Sequence, residues 1–457
     1  MDKLNLELFK LNRQRLIEAF SANKDHPVLF LKGANDMPRF HSDMDQWFHQ
    51  EMNFFWVTGV EHEADCYAMI DTRSGEYTLF VPQRGEAYAV WVGKLMTLDD
   101  YQVMYQADRT ISAAELAANI PKDRIIYTTQ YALPELKEMN LDNQICAEDS
   151  HLFDVIAELR LHKTSFEIDM IKKSCAVLDE ALQETLPKIK EGLPEYAVRA
   201  EIMYQFARRG ALFESFNPIP AAHKNASILH YLELSGKAQE NKLFLLDCGC
   251  EYHCYASDVT RTVPVGGKFT PKQAELYQIV LDASTKAIEM MAPGVEWFDV
   301  HTLSQRIVGE GLIKAGIITL PENKTVEDAL EEGVVSAFFP TGLGHSMGLE
   351  VHDMMLSKVL FPKGRCTQPW AKPLRMNRPL ETGMVMTVEP GIYFPEVLMN
   401  KFAKSHPEWI NFEKVAEYHE EVGGIRLEQD ILITENGYEN LTKCPIQIAD
   451  VEKMMSQ

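Results

Sequence analysis

The chain has 457 residues, of which 46% are hydrophobic and 25% are charged. This composition is typical of a folded globular protein, and the length predicts more than one domain. The formal net charge of −22 argues against nucleic acid and anionic lipid surfaces as partners, because no basic patch of comparable weight offsets it.

The chain begins MDKLNLELFKLNRQRLIEAF, which alternates charged and apolar residues. It therefore lacks the apolar core of a signal peptide, and no later run of the sequence is as long and apolar as a membrane span. The 8 cysteines are dispersed along the chain, as is typical of free thiols in a reducing compartment. We expect a cytoplasmic protein.

The first predicted elements are two β-rich runs, residues 68–71 and 77–82, joined by a short polar segment that contains Gly75. They predict a β-hairpin inside an α/β domain. Near residue 160 the pattern changes, and Thr164 with Glu167 three positions later forms a capping box that predicts the start of a long helix. We therefore predict an N-terminal α/β domain over residues 1–160 and a second domain over residues 161–457.

The predicted helix after Thr164 carries a stripe of apolar residues at helical spacing. Such a stripe indicates packing against a core rather than a functional face. Its members are Ile168, Ile171, Cys175, Leu178 and Leu182.

Further along the chain, helical stretches alternate with short strand-like runs at residues 243–247, 385–388 and 425–428. Each run ends on an acidic residue or leads to one. Asp247 and Asp258 are eleven residues apart, which is enough for two antiparallel strands to bring both side chains together. An acid that ends an apolar strand, as Asp247 does, needs a partner. We expect the strands to direct carboxylates into one site.

Four segments hold the candidate ligands: LLDCGCEYHCYASDVTRT, GLGHSMGLEVHD, TVEPGIYF and GIRLEQD. The candidates that we select from them are four carboxylates and one imidazole, a mixture that suits Mn, Fe, Co or Zn. Without cations, four clustered carboxylates would repel one another or become protonated, so we expect two divalent ions. The five candidates are Asp247, Asp258, His345, Glu389 and Glu428.

Cysteines near Asp247 offer an alternative zinc site, formed by Cys248, Cys250 and Cys254 with His253. Their spacing differs from the two separated Cys pairs of structural zinc sites. On a strand, Cys248 and Cys250 point away from the face that carries Asp247. We interpret the cysteines as core residues.

These segments together resemble the "pita-bread" metallopeptidases, a family that includes methionine aminopeptidase, aminopeptidase P, creatinase and prolidase. The resemblance is closest to eukaryotic prolidases and covers nearly the whole chain, from GEYTLFVPQRGEAYAVWVGK through ILHY to LRMNRPLETGMVMTVEPGIYF and GGIRLEQD. It implies an α/β N-terminal domain followed by an α+β pita-bread catalytic domain. It also implies hydrolysis of Xaa-Pro dipeptides, with Mn²⁺ as the expected ion and a homodimer as the expected assembly.

The resemblance assigns the metal ligands. Asp247 would bind one ion, Asp258 and Glu428 would bridge both ions, and His345 with Glu389 would complete the shell of the second. A hydroxide held between the ions would attack the peptide carbonyl. Glu389 would take the proton from the attacking water and pass it to the leaving nitrogen.

The resemblance also assigns substrate residues. His230 and His352 would flank the reacting centre, and Arg375 would hold the carboxylate of a dipeptide, which a guanidinium fork suits. Arg426 lies two positions before Glu428, on the same strand face, and would hold the carboxylates and contact the bound substrate.

Three positions depart from the prolidase pattern. Thr341 stands where a histidine is usual, Phe216 where a tyrosine is common, and Gln429 where an acidic residue follows the last ligand. The first two remove polar groups near the substrate, so substrate range and rate are the properties they would change.

Three alternatives share the fold. An Xaa-Pro aminopeptidase would act on longer peptides, a binding protein would have lost catalysis, and a creatinase-like hydrolase would work without metal. The five ligands oppose the last two, whereas Arg375 and the N-terminal domain favour the dipeptidase over the aminopeptidase.

Overall fold

The computed structural model describes residues 4–146 and 151–456. The chain divides into two compact units, Met1–Arg160 and Leu161–Gln457, each with its own hydrophobic core. Among the described residues, no helix combines the length and the apolar character that crossing a bilayer requires.

The first unit is built on a five-stranded mixed sheet in the order β4-β3-β2-β1-β5. Strands β1, β2 and β3 are antiparallel neighbours, while β4 and β5 add in parallel at the two edges. The strands are β1 (Val28–Lys32), β2 (Tyr67–Asp71), β3 (Tyr77–Val81), β4 (Arg109–Ser112) and β5 (Ile126–Thr128). The predicted hairpin is confirmed as β2 and β3, with Ala68 opposite Leu79.

Seven helices accompany this sheet in the described part of the first unit. The last of them ends at the boundary between the two units. They are α1 (Glu7–Ala19), α2 (Met52–Thr58), α3 (Ala89–Val92), α4 (Leu98–Tyr105), α5 (Leu116–Asn119), α6 (Leu133–Glu138) and α7 (His151–Leu161).

The helices of the second unit begin with the one that the capping box predicts. Thr164 accepts a hydrogen bond from the backbone N–H of Glu167, whose side chain accepts one in return, and the predicted stripe is buried except for Ile168, which is half-buried. The helices are α8 (Ser165–Thr185), α9 (Glu195–Ala207), α10 (Pro271–Met290), α11 (Trp297–Lys314), α12 (Val326–Glu331), α13 (Glu396–Ser405), α14 (Phe412–Glu421) and α15 (Ile448–Met455).

The strands of the second unit form small antiparallel sheets, ordered β10-β9-β6, β11-β8-β7, β12-β15-β16 and β13-β14. They are β6 (Phe213–Glu214), β7 (Ile219–Ala222), β8 (Leu243–Cys248), β9 (Cys250–Tyr252), β10 (Tyr255–Ala256), β11 (Val259–Pro264), β12 (Val385–Val388), β13 (Gly391–Ile392), β14 (Ile425–Arg426), β15 (Gln429–Thr434) and β16 (Gly437–Asn440).

The run at residues 425–428 is not the single strand that its sequence suggests. It breaks after Arg426, because Leu427 donates its N–H to the carbonyl of Pro390 while Glu428 donates to that of Thr260. The chain thus passes from one sheet to the next at Glu428. A third strand end, at Glu428, therefore lies at the edge where β8 and β11 meet.

The core of the second unit fixes these strand ends. Side chains of α10 and α11, among them Val280 and Trp297, pack in one apolar cluster with Met386 of β12 and Ile431 of β15. A close-packed interior resists displacement of its elements, so the loops that leave these strands start from fixed positions.

Gly249 generates a stability prediction, because it lies between β8 and β9 against neighbouring backbone. A Cβ at this position would overlap the carbonyl oxygen of Ser257 and the hydroxyl of Ser215. We expect Gly249→Ala to lower the free energy of unfolding by about 1–3 kcal/mol, measured by denaturant titration.

Gly85→Ala is the matched control, because a Cβ there meets no heavy atom within 4 Å. It should change the free energy of unfolding by no more than about 0.5 kcal/mol. Equal stability of the two variants would contradict the close approach at Gly249.

Candidate metal centre

Two of the predicted carboxylates come from neighbouring ends of β8 and β11. Asp247 is the penultimate residue of β8, and Asp258 immediately precedes β11, whose first residue lies opposite Cys248. The backbone N–H of Asp258 donates to Oδ2 of Asp430 over 3.1 Å, which fixes the start of β11. The antiparallel pairing expected from the spacing is confirmed.

His345 is held against the end of β12. Its N–H donates to Oγ1 of Thr387 over 3.0 Å, and the N–H of Thr387 donates back to the carbonyl of His345 over 2.9 Å. A side chain at Gly344 would overlap the Thr387 carbonyl, so only glycine permits this approach.

The last two carboxylates are positioned by one backbone and one side-chain hydrogen bond. Glu389 donates its N–H to the carbonyl of Leu343 over 2.7 Å, one residue beyond β12. Glu428 receives a hydrogen bond on Oε2 from the hydroxyl of Thr260, also over 2.7 Å.

Asp258, His345 and Glu428 form the centre of the cluster. Each offers a ligand atom, and the three atoms lie within 4.8 Å of one another. Nε2 of His345 is 3.4 Å from Oδ2 of Asp258 and 3.5 Å from Oε1 of Glu389. Asp247 lines the same cavity as these four.

The orientation of His345 indicates a cation. Its Nδ1 lies 3.2 Å from the carbonyl oxygen of Ser346, and a carbonyl can only accept, so we assign the ring proton to Nδ1. The lone pair of Nε2 then faces two carboxylates. A nitrogen lone pair and carboxylate oxygens that face one another with no hydrogen between them are stable when they share a metal ion.

Electrostatics point the same way. Burial, reinforced by neighbouring carboxylates, raises the pKa of Asp258 and of Glu428 well above the usual range. Burial also raises the pKa of Glu389 to about 7, against the opposing effect of Arg375 and Arg426. Burial lowers the pKa of His345 well below its ordinary value. The three carboxyl shifts disfavour the charged side chains until cations compensate the cluster, whereas the lowered pKa keeps His345 neutral, the form that binds a metal ion.

Asp247 adds an unsatisfied acceptor. Its Oδ2 accepts from Nη2 of Arg426 over 2.5 Å, while Oδ1 is buried and accepts no hydrogen bond from the described residues. Such an orphaned oxygen costs free energy unless it has a partner. The donor set and this oxygen therefore fit divalent ions held by Asp247, Asp258, His345, Glu389 and Glu428.

Comparison with known proteins decides the family. Residues 169–435 match the model of metallopeptidase family M24, and residues 9–126 match that of the aminopeptidase P N-terminal domain. The first match alone covers more than half of the chain. This chain belongs to metallopeptidase family M24.

Individual relatives agree with this assignment. The chain is 33% identical to a Mus musculus Xaa-Pro dipeptidase, covering 99% of this chain and 94% of the relative. It is 31% identical to a probable Xaa-Pro aminopeptidase PEPP of Paracoccidioides lutzii, covering 95% and 93%. The solved structure of Pseudomonas aeruginosa aminopeptidase PepP matches with a TM-score of 0.83 at 28% identity, covering 100% and 99%.

The resemblance to prolidases and the predicted fold are thereby confirmed: an aminopeptidase P N-terminal domain is followed by a pita-bread catalytic domain. The chain is a metallopeptidase and hence a hydrolase. Family and cluster together imply divalent metal at the site.

All nine predicted site residues of this M24 metallopeptidase line one cavity of about 310 Å³. That volume lies at the small end of the range for ligand pockets. The metal-ligand candidates lie beside His230, His352 and Arg375, and the guanidinium of Arg375 donates to Nε2 of His352.

Arg426 makes three side-chain contacts within the protein. Its three nitrogens donate to Oδ2 of Asp247, to the hydroxyl of Tyr393 and to that of Thr260. The prediction that it holds the carboxylates agrees with these contacts. Its expected contact with substrate stays a prediction, because these contacts use three of the five N–H groups and Arg426 lines the cavity.

Sequence reasoning missed Tyr393, Thr260 and Asp430. Tyr393 is buried and lines the cavity, where it accepts from Arg426. Thr260 bonds both Arg426 and Glu428. Thr260 lies two positions after Asp258, and strand alternation places such residues on one face, so this spacing could have identified it.

The residues of the alternative zinc site lie in the core and in a turn. Cys248 and Cys250 are fully buried in an apolar cluster with Leu178, which confirms their interpretation as core residues. His253 and Cys254 form the turn between β9 and β10, both with positive φ.

The three positions that depart from the prolidase pattern lie in two places. Thr341 and Phe216 both line the cavity, whereas Gln429 lies in β15 and accepts from Asn440.

The raised pKa values predict how the metal-free protein responds to pH. A carboxyl whose pKa is raised on folding binds more protons folded than unfolded. The stabilisation that this carboxyl gives to the folded protein is fully present below its unfolded pKa, which is near 4.5. This stabilisation is lost as the pH rises through the pKa of the folded state, which is about 7 for Glu389. We expect the urea midpoint of metal-free protein to fall between about pH 5.5 and about pH 8.

Glu428→Gln removes one of these titrating groups, so its metal-free form should lose less stability over the same pH interval. Saturation of the wild type with divalent metal should also weaken the dependence. A metal-free wild type as stable at the higher pH as at the lower one would contradict the repulsion within the cluster.

Proposed function

We propose that this metallopeptidase hydrolyses Xaa-Pro dipeptides. The supporting observation is that Arg375, a carboxylate-binding side chain, lines the same small cavity as the carboxylate cluster. The relative named Xaa-Pro dipeptidase, which this chain matches over 99% of its length, gives independent support.

Two divalent ions, with Mn²⁺ as the expected metal, would be held by Asp247, Asp258, His345, Glu389 and Glu428. Bound there, such ions would polarise a peptide carbonyl and lower the pKa of a water molecule. Asp258 and Glu428, at the centre of the cluster, are suited to bridging, whereas Asp247 lies on the side of Arg426.

Glu389 is the proposed proton carrier. It is only half-buried, unlike Asp258 and Glu428, so it reaches both the metal ligands and the open cavity. In the metal-free protein, burial raises the pKa of Glu389 to about 7. It would accept a proton from the attacking water and deliver it to the proline nitrogen, which becomes an amine when the bond breaks.

His352 and His230 would orient the carbonyl. The guanidinium of Arg375 can only donate, so Nε2 of His352 accepts, and its Nδ1 carries the proton in the neutral ring. Nδ1 can therefore donate to a substrate oxygen. His230 is exposed at the other wall of the cavity and would contribute a second imidazole.

Arg375 would select substrate length. A dipeptide places its terminal carboxylate one residue beyond the scissile bond, where a fixed guanidinium could pair with it. A longer peptide has an amide at that position and lacks the charge. We further propose a cytoplasmic location, consistent with eight free cysteines, and a homodimer, which the resemblance alone supports.

The second candidate function is an Xaa-Pro aminopeptidase that acts on longer peptides. The Paracoccidioides lutzii relative and the Pseudomonas aeruginosa structure, whose names include aminopeptidase, favour it. The two functions differ in the length of peptide accepted and not in the metal chemistry.

Glu389→Gln tests the proton carrier. Wild type supplied with Mn²⁺ should hydrolyse Gly-Pro and lose activity with a chelator, while Glu389→Gln should lower kcat by at least about 100-fold because an amide does not carry the proton. Released glycine gives the rate, and metal content is measured on the same samples. Glu381→Gln, at a half-buried glutamate that pairs with Arg378, is the control and should leave kcat unchanged. A metal-loaded Glu389→Gln with near wild-type kcat would remove this role.

Arg375→Met tests the carboxylate anchor. A charge-assisted hydrogen bond contributes about 1.5–3 kcal/mol, so KM for Gly-Pro should rise roughly 10- to 100-fold, with a smaller change for a tripeptide that begins Gly-Pro. Arg365→Met, at an exposed arginine stacked on Phe361, should change the KM of neither peptide. Equal losses for both peptides would favour the aminopeptidase function.

A further inference from the structure

The wall of the cavity that carries His230 has no regular secondary structure of its own. After the 3₁₀ helix His223–Ser227, the chain runs irregularly until β8, and Leu229, His230 and Leu232 of this stretch line the cavity. His230 itself is exposed. Some other part of the molecule must therefore hold the segment in place, because an irregular exposed segment is otherwise mobile.

Glu195 supplies that support. It is the first residue of α9 and is 0% exposed. Its Oε1 accepts from the N–H of Ala222 over 2.7 Å and from the side-chain amide of Asn225 over 2.8 Å. Its Oε2 accepts from the N–H of Gly236 over 2.6 Å and from the hydroxyl of Tyr231 over 2.8 Å.

These four donors are spread along residues 222–236, a segment that runs from the last residue of β7 through the 3₁₀ helix into the irregular stretch. Ala222 and Gly236 are its two ends, and Tyr231 is the neighbour of His230. Tyr231 also accepts from the N–H of Ser235 over 2.9 Å, which closes the turn over residues 231–235 that directly follows His230. One carboxylate therefore ties together both ends and the middle of the segment.

The fit around the carboxylate is tight. A Cβ at Gly236 would lie 2.6 Å from Oε1 of Glu195, so glycine is needed for the backbone to approach the carboxylate. Glu195 in turn donates its own N–H to the carbonyl of Gly236 over 3.1 Å. Four hydrogen bonds compensate the free-energy cost of burying the Glu195 carboxylate. A substitution of Glu195 would leave several of the four donors without an acceptor.

We propose that Glu195 is a positioning residue for catalysis, which holds the segment 222–236 so that His230 faces the substrate. The catalytic part of this inference rests on the proposed function, whereas the anchoring of the segment does not. Glu195 does not itself line the cavity in the described structure and acts through His230.

Glu195→Gln is the direct test. The glutamine amide has the same shape as the carboxylate, but its NH₂ group cannot accept hydrogen bonds. The two donors on the side of the NH₂ group, either Ala222 and Asn225 or Gly236 and Tyr231, therefore lose their acceptor. The segment should shift, and a displacement of about 1 Å can lower a rate about 100-fold, so kcat/KM should fall at least about 10-fold at unchanged metal content.

The matched control is Asp179→Asn. Asp179 is also a buried carboxylate, and it accepts from the N–H groups of Lys443 and Cys444 instead. It should keep kcat/KM within about 3-fold of wild type, since Asp179 and these two partners do not line the cavity in the described structure and are not among the four donors to Glu195. Amide hydrogen exchange should accelerate over residues 222–236 in Glu195→Gln and not in Asp179→Asn.

A double-mutant cycle separates positioning from general stability. If Glu195 acts through His230, then Glu195→Gln should cost no more than about 3-fold in a His230→Ala background, because the group it positions is absent. Multiplicative losses in the double variant would overturn the proposal. So would a folded Glu195→Gln with wild-type kcat/KM or unchanged exchange over residues 222–236.

Tyr231→Phe keeps the test decisive if Glu195→Gln does not fold. It removes one of the four donors and leaves the carboxylate in place, so a loss of about 3- to 10-fold is expected, again absent in the His230→Ala background. Wild-type kcat/KM in Tyr231→Phe would then overturn the proposal. If wild type hydrolyses no Xaa-Pro peptide, the proposed function fails, and the exchange measurements still decide whether Glu195 anchors the segment.

Discussion

Repulsion among buried carboxylates is the constraint on which the catalytic unit depends. Asp258 and Glu428 are nearly inaccessible to solvent and face a common centre with His345, while Asp247 and Glu389 line the same cavity. Water cannot screen their charges there, so the arrangement is stable only with compensating positive charge. Arg426 provides part of it through Asp247, and divalent metal, which the family and the cluster imply, provides the rest.

The surrounding hydrogen bonds follow from that constraint. Asp247 and Glu428 each receive a protein donor on one oxygen, from Arg426 and Thr260 respectively. For Asp247 the other oxygen stays unsatisfied, and His345 directs its own lone pair into the same space. One oxygen is used to fix the side chain and the other is available to a cation, which combines rigidity with binding capacity.

The two sides of the cavity are built differently. The metal-binding side comes from strand ends that a packed core and backbone pairing hold in position. The proposed substrate side comes from irregular segments that carry His230, His352 and Arg375, and the segment with His230 is held by the hydrogen bonds of Glu195. Thr341 and Phe216, the departures from the prolidase pattern, line the cavity beside the predicted ligands without replacing any of them. Changes at these two positions can therefore alter substrate preference without altering the metal ligands.

The sequence by itself determined the elements whose signals are local. The capping box fixed the start of α8, the spacing of Asp247 and Asp258 indicated an antiparallel pair, and ligand-type residues in four segments indicated a metal site. Local signals could not show that the strand breaks after Arg426, because the break depends on hydrogen bonds to Pro390 and Thr260 from distant parts of the chain.

Tertiary structure alone decided which polar residues support the site. The sequence places Arg426 close to Glu428, and only the fold shows that its side chain donates to Asp247, Tyr393 and Thr260. Glu195 looks like an ordinary helix-terminal acid, and only the fold brings it against Gly236 and Tyr231. Residue type and spacing encode what a side chain can bind, but the partner it does bind is set by packing between segments far apart in the chain, which no local pattern records.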